Sequence, residues 1–251
     1  MPELDLLRKI AALEARLNRL ESAELSPELA APYLALPNLR GFWPMSSQDN
    51  SGNAYDLSGQ GRTLTNNGTA TFDVYNNVVP FVDLNGSSQY MSRADESALD
   101  ISSALTLGVW FRPDVVTGSQ GLVSKYTVSG SQQSYLLYLN AATLYADVSS
   151  TGANDFTVTI AGTTASVWHF GALRFTPSTE LAVWLDGTKA VNTTSIPASL
   201  FNSTAALQLG LFNTSGTYLN GGLALAFVCA AALTDQLIGS LFQRTRARFG
   251  V

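Results

Sequence analysis

The chain has 251 residues, a net charge of −5, and charged side chains at only 13% of its positions. This acidic balance argues against a nucleic-acid binder, which needs a basic face for the phosphates. The single cysteine, Cys229, excludes a scaffold held by intrachain disulfides, and its apolar neighbours predict a buried thiol.

Residues 1–25 predict a helix that assembles subunits. Five apolar residues in this segment recur at spacings of four, three, four and three, the heptad pattern of a coiled coil. They are Leu6, Ile10, Leu13, Leu17 and Leu20. The positions that flank this apolar seam are charged, with Lys9 and Arg16 on one side and Glu14 and Glu21 on the other, so neighbouring helices can form ion pairs.

The stretch Arg16-Leu17-Asn18-Arg19-Leu20-Glu21 resembles the short pattern that specifies trimers in parallel coiled coils. The resemblance implies a homotrimer whose oligomerisation residues are Leu6, Ile10, Leu13, Arg16, Leu17, Leu20 and Glu21. The alternative is an amphipathic helix that docks on its own globular domain. A coiled coil of about two and a half heptads is marginal alone, so we expect the globular domains or a docking surface to support it.

The start of the sequence is acidic and lacks the apolar segment of a secretory signal. No apolar run approaches the length that spans a membrane. We therefore expect a protein that is made in a cytoplasm, is not exported by the ordinary route and does not insert into membranes.

Residues 26–38 contain Pro27, Pro32 and Pro37. Proline blocks helix continuation and favours extended chain, so this segment is predicted to be a semi-rigid linker between the helix and a head.

Residues 39–251 predict one mostly β domain, a two-sheet antiparallel jelly-roll sandwich. Short apolar stretches alternate with turn residues, as is typical of such folds. The predicted strands are Val78–Leu84, Leu105–Arg112, Gly121–Lys125, Ser134–Leu139, Thr143–Val148, Phe156–Ile160, Trp168–Phe175, Leu181–Leu185, Ala206–Leu211 and Gly222–Ala230. A short C-terminal helix is predicted after Thr234, which can cap it.

Several segments of this region resemble, in order, those of the laminin-G-like jelly rolls of the concanavalin-A-like lectin and glucanase superfamily. They are Asp56-Leu57-Ser58-Gly59-Gln60-Gly61-Arg62, Val82-Asp83-Leu84-Asn85-Gly86-Ser87-Ser88-Gln89-Tyr90, Leu105-Thr106-Leu107-Gly108-Val109-Trp110-Phe111-Arg112-Pro113, Trp168-His169-Phe170 and Val183-Trp184-Leu185-Asp186-Gly187. The resemblance runs from about Leu39 to Phe249 and implies a lectin-like fold.

The sequence departs from this family where carboxylates often precede the final helix. Leu225 and Ala226 stand there instead, which places a metal or polar role of that strand in doubt. Retaining glucanases need two carboxylates about 5 Å apart, and no predicted strand carries such an acid pair. His169 is the only histidine, and we expect it to be structural. We therefore predict no catalytic residues, no metal site and no cofactor.

Calcium requires several oxygen ligands close together. Asp49, Asp56 and Asp83 can supply some of them, but ordinary Asx-turn chemistry is the favoured interpretation.

Glycan binding is the common use of this family and requires exposed aromatic rings beside amide or carboxylate groups. The candidate ligand-binding residues are Tyr126, Tyr135, Tyr138, Tyr145 and Tyr218. Trp110 and Trp184 fall on predicted strands, where core packing is the favoured role.

Three functions are consistent with these features. The first is a non-enzymatic virion surface protein, a phage capsid decoration or a head or tail fibre, which binds capsid or tail proteins and stabilises the particle or attaches it to a host surface. The second is a lectin or receptor-binding protein for a defined cell-surface glycan. The third and remotest is a degenerate β-glucanase, since fold alone does not determine function.

Overall fold

The computed structural model describes residues 26–46, 49, 51–213 and 216–251. The predicted coiled-coil helix over residues 1–25, with its oligomerisation residues, lies outside the described residues and stays a prediction. Among the described residues, no helix is both long enough and apolar enough to cross a membrane.

The described chain folds into fifteen strands and two α-helices. In chain order the strands are β1 Leu39–Trp43, β2 Thr65–Asn67, β3 Thr71–Tyr75, β4 Val79–Asn85, β5 Tyr90–Arg93, β6 Leu105–Pro113, β7 Ser119–Thr127, β8 Gln132–Asn140, β9 Thr143–Val148, β10 Phe156–Ala161, β11 His169–Thr176, β12 Glu180–Leu185, β13 Thr188–Asn192, β14 Leu207–Leu209 and β15 Asn220–Cys229. The helices are α1 Pro27–Leu34 and α2 Asp235–Thr245, and a 3₁₀ turn, Arg246–Arg248, follows α2.

These strands form two antiparallel sheets. The first sheet has the order β13-β12-β11-β6-β15-β4-β3, and the second has the order β10-β9-β8-β7-β14-β5-β2. In the first sheet, β4 pairs with the first part of β15 and β1 pairs with its second part. The predicted mostly β, two-sheet sandwich with a short C-terminal helix is confirmed.

The main hydrophobic core lies between the two sheets. Alternate strand residues supply it, because successive side chains of a strand point to opposite faces. In β8, for example, Tyr135, Leu137 and Leu139 belong to this core. Leu136 and Tyr138, which alternate with them, belong to a small separate cluster on the outer face of the second sheet.

The outer face of the first sheet carries a second core beneath α1, α2 and the C-terminal residues. Trp110 stacks on Phe249 at 4.0 Å between ring centroids, and its Nε1 donates a hydrogen bond to Thr245 Oγ1 at 2.9 Å. The predicted packing roles of Trp110 and Trp184 are therefore confirmed, since both side chains are buried in this layer. Cys229 is also buried here, and burial raises the pKa of its thiol to about 12.

The prediction of an extended linker over residues 26–38 is wrong, because α1 occupies most of it. Pro27 stands at the helix start, where its missing N–H and fixed φ are favourable, and Ser26 caps the helix. Leu29 and Tyr33 are buried, and Tyr33 stacks on Phe42 with centroids 4.7 Å apart. Burial of this apolar face outweighs the internal Pro32, so α1 belongs to the globular head.

The predicted strands lie within or overlap observed ones, whereas the sequence missed β1, β2, β3, β5 and β13. Two of these, β2 and β5, have only three and four residues, too few for alternation to be read reliably. The C-terminal helix begins where it was predicted, and Thr234 Oγ1 accepts a hydrogen bond from the backbone N–H of Leu237.

Candidate functional site

Three of the predicted tyrosines meet on the outer face of the second sheet, opposite the side of the sandwich on which α1 and α2 pack. They form what we call the tyrosine–aspartate cluster, which consists of Tyr126, Gln133, Tyr138, Tyr145, Asp147, Asp155 and Phe212. Strands β7, β8 and β9 contribute five of these residues, and two loops contribute Asp155 and Phe212.

Strand alternation and register bring the cluster together. Tyr138 of β8 lies directly opposite Tyr145 of β9, and Tyr126 of β7 lies opposite Gln133 of β8. Asp147 follows Tyr145 by two residues and therefore lies on the same face of β9. Residues that are up to 21 positions apart in sequence, Tyr126 and Asp147, therefore come together on one surface.

The aromatic rings form a continuous chain across this surface. Tyr138 and Tyr145 have ring centroids 5.0 Å apart, and Tyr138 lies 5.1 Å from Phe212. Phe212 in turn contacts Tyr126 edge to face at 6.2 Å. These separations are those of favourable aromatic pairs. Tyr138 and Tyr145 are partly exposed, so their rings are the accessible part of the chain.

A hydrogen-bond relay crosses one side of the cluster. Gln133 Nε2 donates to the Tyr126 hydroxyl oxygen at 2.8 Å, and that hydroxyl donates to Asp155 Oδ2 at 2.8 Å. Burial, together with the negative charge of Asp155, raises the pKa of Tyr126. The relay fixes the Tyr126 side chain and leaves the second oxygen of Asp155 for another donor.

Asp147 lies in the most desolvated part of the cluster, with only 5% of its surface exposed. Burial raises the pKa of its carboxyl to about 6, and repulsion from Asp155 adds to this, while hydrogen bonds with Thr157 and Tyr138 oppose it. Its Oδ1 atom and the Oε1 atom of Gln133 are buried and have no hydrogen-bond partner. Burial also raises the pKa of Asp155.

The loop between β14 and β15 forms one wall of the site. It passes so close to β7 that a Cβ atom on Gly121 would lie 2.4 Å from the carbonyl carbon of Leu211, so only glycine fits there. Ser124 Oγ donates to the Leu211 carbonyl at 2.8 Å, and Asn213 Oδ1 accepts from the backbone N–H of Val128. These contacts hold Phe212 against the tyrosines.

The structure separates two predicted ligand residues from the other three. Tyr135 is fully buried in the inter-sheet core, where its hydroxyl donates to the carbonyl of Leu99, so it cannot contact a ligand. Tyr218 lies beside Tyr90, with ring centroids 6.1 Å apart, and does not touch the cluster.

Sequence reasoning missed Gln133, Asp147, Asp155 and Phe212. For Asp147 a signal was present, because it follows Tyr145 by two positions and therefore shares its face on a strand. No comparable pattern marks Asp155 or Phe212, which lie on loops and approach the cluster only in the folded chain.

His169 has a structural role, as predicted. Its Nε2 accepts the backbone N–H of Thr164 at 3.0 Å, so Nδ1 carries the proton and bonds Asp186 Oδ2 at 2.6 Å. Asp186 also accepts the backbone N–H of Phe170. Because both ring nitrogens are engaged, His169 has no lone pair left for general-base chemistry.

The loop acids of the sequence analysis serve local structure. Asp49 Oδ1 accepts the backbone N–H groups of Ser51 and Asn53, and Asp56 Oδ1 accepts that of Ser58, as in Asx turns. Asp83 is partly buried, and desolvation raises the pKa of its carboxyl. Among the residues that the structure describes, no group of three or more histidine, cysteine or acidic side chains is placed to hold a metal ion.

Lys125 is a buried lysine whose ammonium group is surrounded by oxygen atoms. Lys125 Nζ bonds Asp95, lies 3.1 Å from Asp100 Oδ1, and donates to the carbonyls of Ser203 and Ala205 at 2.5 and 2.8 Å. The Lys125 ammonium group therefore neutralises the negative charge of these two acids inside the fold.

Comparison with known proteins agrees with this geometry. A family model described as the Concanavalin A-like lectin/glucanases superfamily matches residues 85–239. No curated protein matches this sequence.

Solved structures share the fold. The binding domain of Paraclostridial Mosquitocidal Protein 1 has a TM-score of 0.66 and 16% identity, over 82% of this chain and 52% of that one. The Botulinum Neurotoxin Type G receptor binding domain has a TM-score of 0.64 and 11% identity, over 82% and 51%. A structure of botulinum neurotoxin type C, a toxin whose cell entry is described as dependent on two ganglioside molecules, has a TM-score of 0.66 and 9% identity. The match covers 82% of this chain and 51% of that one. This chain spans about half the length of each.

The sandwich with its exposed aromatic and acidic face defines a lectin-like jelly-roll domain. Because the family model covers more than half of the chain, this protein belongs to the concanavalin A-like lectin/glucanase superfamily.

Proposed function

We propose that this chain is a non-enzymatic, glycan-binding head that is displayed as a homotrimer on the surface of a virus particle, as a phage capsid decoration or a head or tail fibre. The observation that carries the glycan-binding part is the tyrosine–aspartate cluster, which joins accessible aromatic rings to hydrogen-bonding groups on the uncovered face of the second sheet.

The chemistry of the cluster suits a sugar. The C–H face of a pyranose stacks on aromatic rings, and its hydroxyls pair with carboxylate, amide and hydroxyl groups. Tyr138 and Tyr145 supply the rings. Asp155 supplies an acceptor, and Thr157 and Thr159 of β10 add exposed hydroxyls beside Asp147 and Tyr145.

A binding role is favoured over hydrolysis because of how the acids are distributed. Retaining glycosidases place two carboxyls about 5–5.5 Å apart on either side of the scissile bond. None of the described strands carries two acids, and the two acids of the cluster, Asp147 and Asp155, belong to a strand and a separate loop, so the strand-borne pair of retaining glucanases is not found in the described residues. Release of reducing sugar from β-glucans would revive the glucanase alternative.

Display on a particle is supported by the sequence of residues 1–25 and by the composition of the head. The heptad repeat provides a means of assembling three copies. Three heads on one stalk convert weak sugar contacts into useful attachment through avidity. The partners on the particle are then capsid or tail proteins, and the protein is located at the virion surface.

A glycan array probed with the assembled protein tests the proposal. Tyr138→Ala and Tyr145→Ala should each weaken binding roughly tenfold, since each removes a stacking ring worth about 1 kcal/mol or more. Tyr218→Ala is the matched control, because it removes the same side chain outside the cluster and should leave binding unchanged. If no glycan binds although the protein attaches to its particle, the role is architectural.

A further inference from the structure

Among the described residues, the charges that surround the tyrosine–aspartate cluster are negative. Within β7, β8, β9 and β10 the charged residues are Lys125 and Asp147. Lys125 points to the opposite side of the sheet, is 1% exposed and is neutralised by Asp95 and Asp100. The described parts of the flanking loops, residues 128–131, 149–155, 210–213 and 216–219, add only Asp155.

Two atoms of the cluster lack the donors that they require. Gln133 Oε1 can only accept hydrogen bonds, and so can Asp147 Oδ1 when the carboxyl is ionised. Neither atom has a partner. Both side chains are more than nine-tenths buried. Buried acceptors are normally paired, so these two enclosed atoms leave uncompensated negative potential beneath the rings, and this potential favours a positively charged ligand above them.

The aromatic rings favour the same kind of ligand. The faces of tyrosine and phenylalanine rings are electron-rich and attract cations. Tyr138 is central, with Tyr145 at 5.0 Å and Phe212 at 5.1 Å, and Tyr138 and Tyr145 remain partly exposed. A cation over these rings would also lie in the field of the two aspartates, which desolvation strengthens.

We infer that the cluster prefers saccharides that carry a protonated amino group, such as oligomers of a non-acetylated amino sugar, and rejects saccharides that carry carboxylates. This inference rests on the proposed glycan-binding function and names the class of its ligand. The exposed hydroxyls of Thr157 and Thr159 favour a sugar over a simple alkylammonium ion, because they can pair with ring hydroxyls that such an ion lacks.

Calorimetric titration of the full chain with three matched oligosaccharides tests the inference. The probes are a glucosamine oligomer, the N-acetylglucosamine oligomer of equal length and a uronic acid oligomer, at pH 7 and low ionic strength. We expect the glucosamine oligomer to bind at least tenfold more tightly than the acetylated one, and the uronic acid oligomer not to bind. Added salt should reduce this preference.

The acidity of Asp147 provides a second readout. Because the pKa of its carboxyl is raised to about 6, its charge is largely lost between pH 7 and pH 5. After correction for protonation of the ligand's own amino groups, the affinity for the glucosamine oligomer should therefore fall about tenfold over this range, whereas the affinity for the acetylated oligomer should change little. Asp155, Tyr126, Tyr138 and Tyr145 are the other titratable groups that face the site.

Asp147→Asn and Asp155→Asn should each weaken binding of the glucosamine oligomer more than binding of the acetylated oligomer, so the preference for the charged ligand falls. Asp155 is the less buried of the two acids, so Asp155→Asn still tests the inference if Asp147→Asn does not fold. Asp114→Asn, an exposed acid on another part of the surface, is the control.

Equal affinity for the charged and acetylated oligomers, or preference for the uronic acid, would overturn the inference and leave the proposed function standing. If no saccharide binds either in the titration or on the glycan array, both the amino-sugar preference and the proposed glycan binding are overturned.

Discussion

Asp147 is a desolvated carboxyl whose position is unfavourable for stability. It lies on the outward-facing side of β9, yet only 5% of its surface is exposed, and the hydroxyls of Tyr138 and Thr157 lie beside it. A carboxylate in such a position is costly unless a cation or a set of donors accompanies it. Its Oδ1 atom has no donor in the structure, so under the proposed function a positively charged ligand over the cluster should gain affinity from this uncompensated charge.

The raised pKa makes stability depend on pH in a defined direction. The carboxyl has a pKa of about 6 in the folded chain, above the ordinary value of 3.8 for an exposed group, so the folded state holds the proton more tightly. Stability from this group is present at low pH and is lost as the pH rises toward about 6. From pH 7 to pH 5 the free energy of unfolding should rise by about 1 kcal/mol more in the wild type than in Asp147→Asn.

Urea denaturation at the two pH values, without ligand, measures this difference. Asp114→Asn should retain the pH dependence of the wild type. Identical pH profiles for Asp147→Asn and the wild type would mean that the carboxyl is not desolvated as the structure indicates.

At the scale of elements, the segment that the sequence predicted to be a linker contains α1, and α1 packs into the second core. One face of this helix packs on the first sheet, and Glu28 lies 3.6 Å from Arg248 beyond α2, so the two ends of the described chain meet. Because α1 is docked, residue 26 leaves the head at a fixed place.

Tyr33→Ala tests whether α1 stabilises the head. The ring is fully buried and stacked on Phe42, so its removal should lower the free energy of unfolding by about 3–5 kcal/mol. Leu34→Ala, in the same helix but exposed, should cost less than about 0.5 kcal/mol. Denaturant titration followed by tryptophan fluorescence compares the two, and a loss below 1 kcal/mol for Tyr33→Ala would contradict docking of the helix.

For the whole molecule, the prediction concerns assembly. Light scattering of the full chain should give about three times the 26.7 kDa mass of one copy. Leu17→Glu places a charge in the heptad seam and should dissociate the trimer, while the head keeps its melting temperature because its cores lie in residues 29–249. A monomer at micromolar concentration for the unaltered chain would remove the basis for the stalk.

The sequence by itself was sufficient for the sandwich, for most of its long strands and for α2. These features depend on local patterns: alternation in strands such as Leu105–Pro113, turn residues between them, and a threonine cap with an apolar helix face. Such patterns extend over a few residues and can be read directly. Three of the five candidate tyrosines also proved to lie together.

The tertiary structure alone decided the rest. Tyr135 and Tyr138 look equivalent in sequence, but strand phase sends one into the core and the other to the surface. The prolines of residues 26–38 favoured an extended chain, and burial of Tyr33 against Phe42 overrode them. Asp155 and Phe212 join the site through loops far apart in sequence. Which side chains share a site depends on sheet register and loop packing, and these are set by contacts between distant segments that no local pattern records.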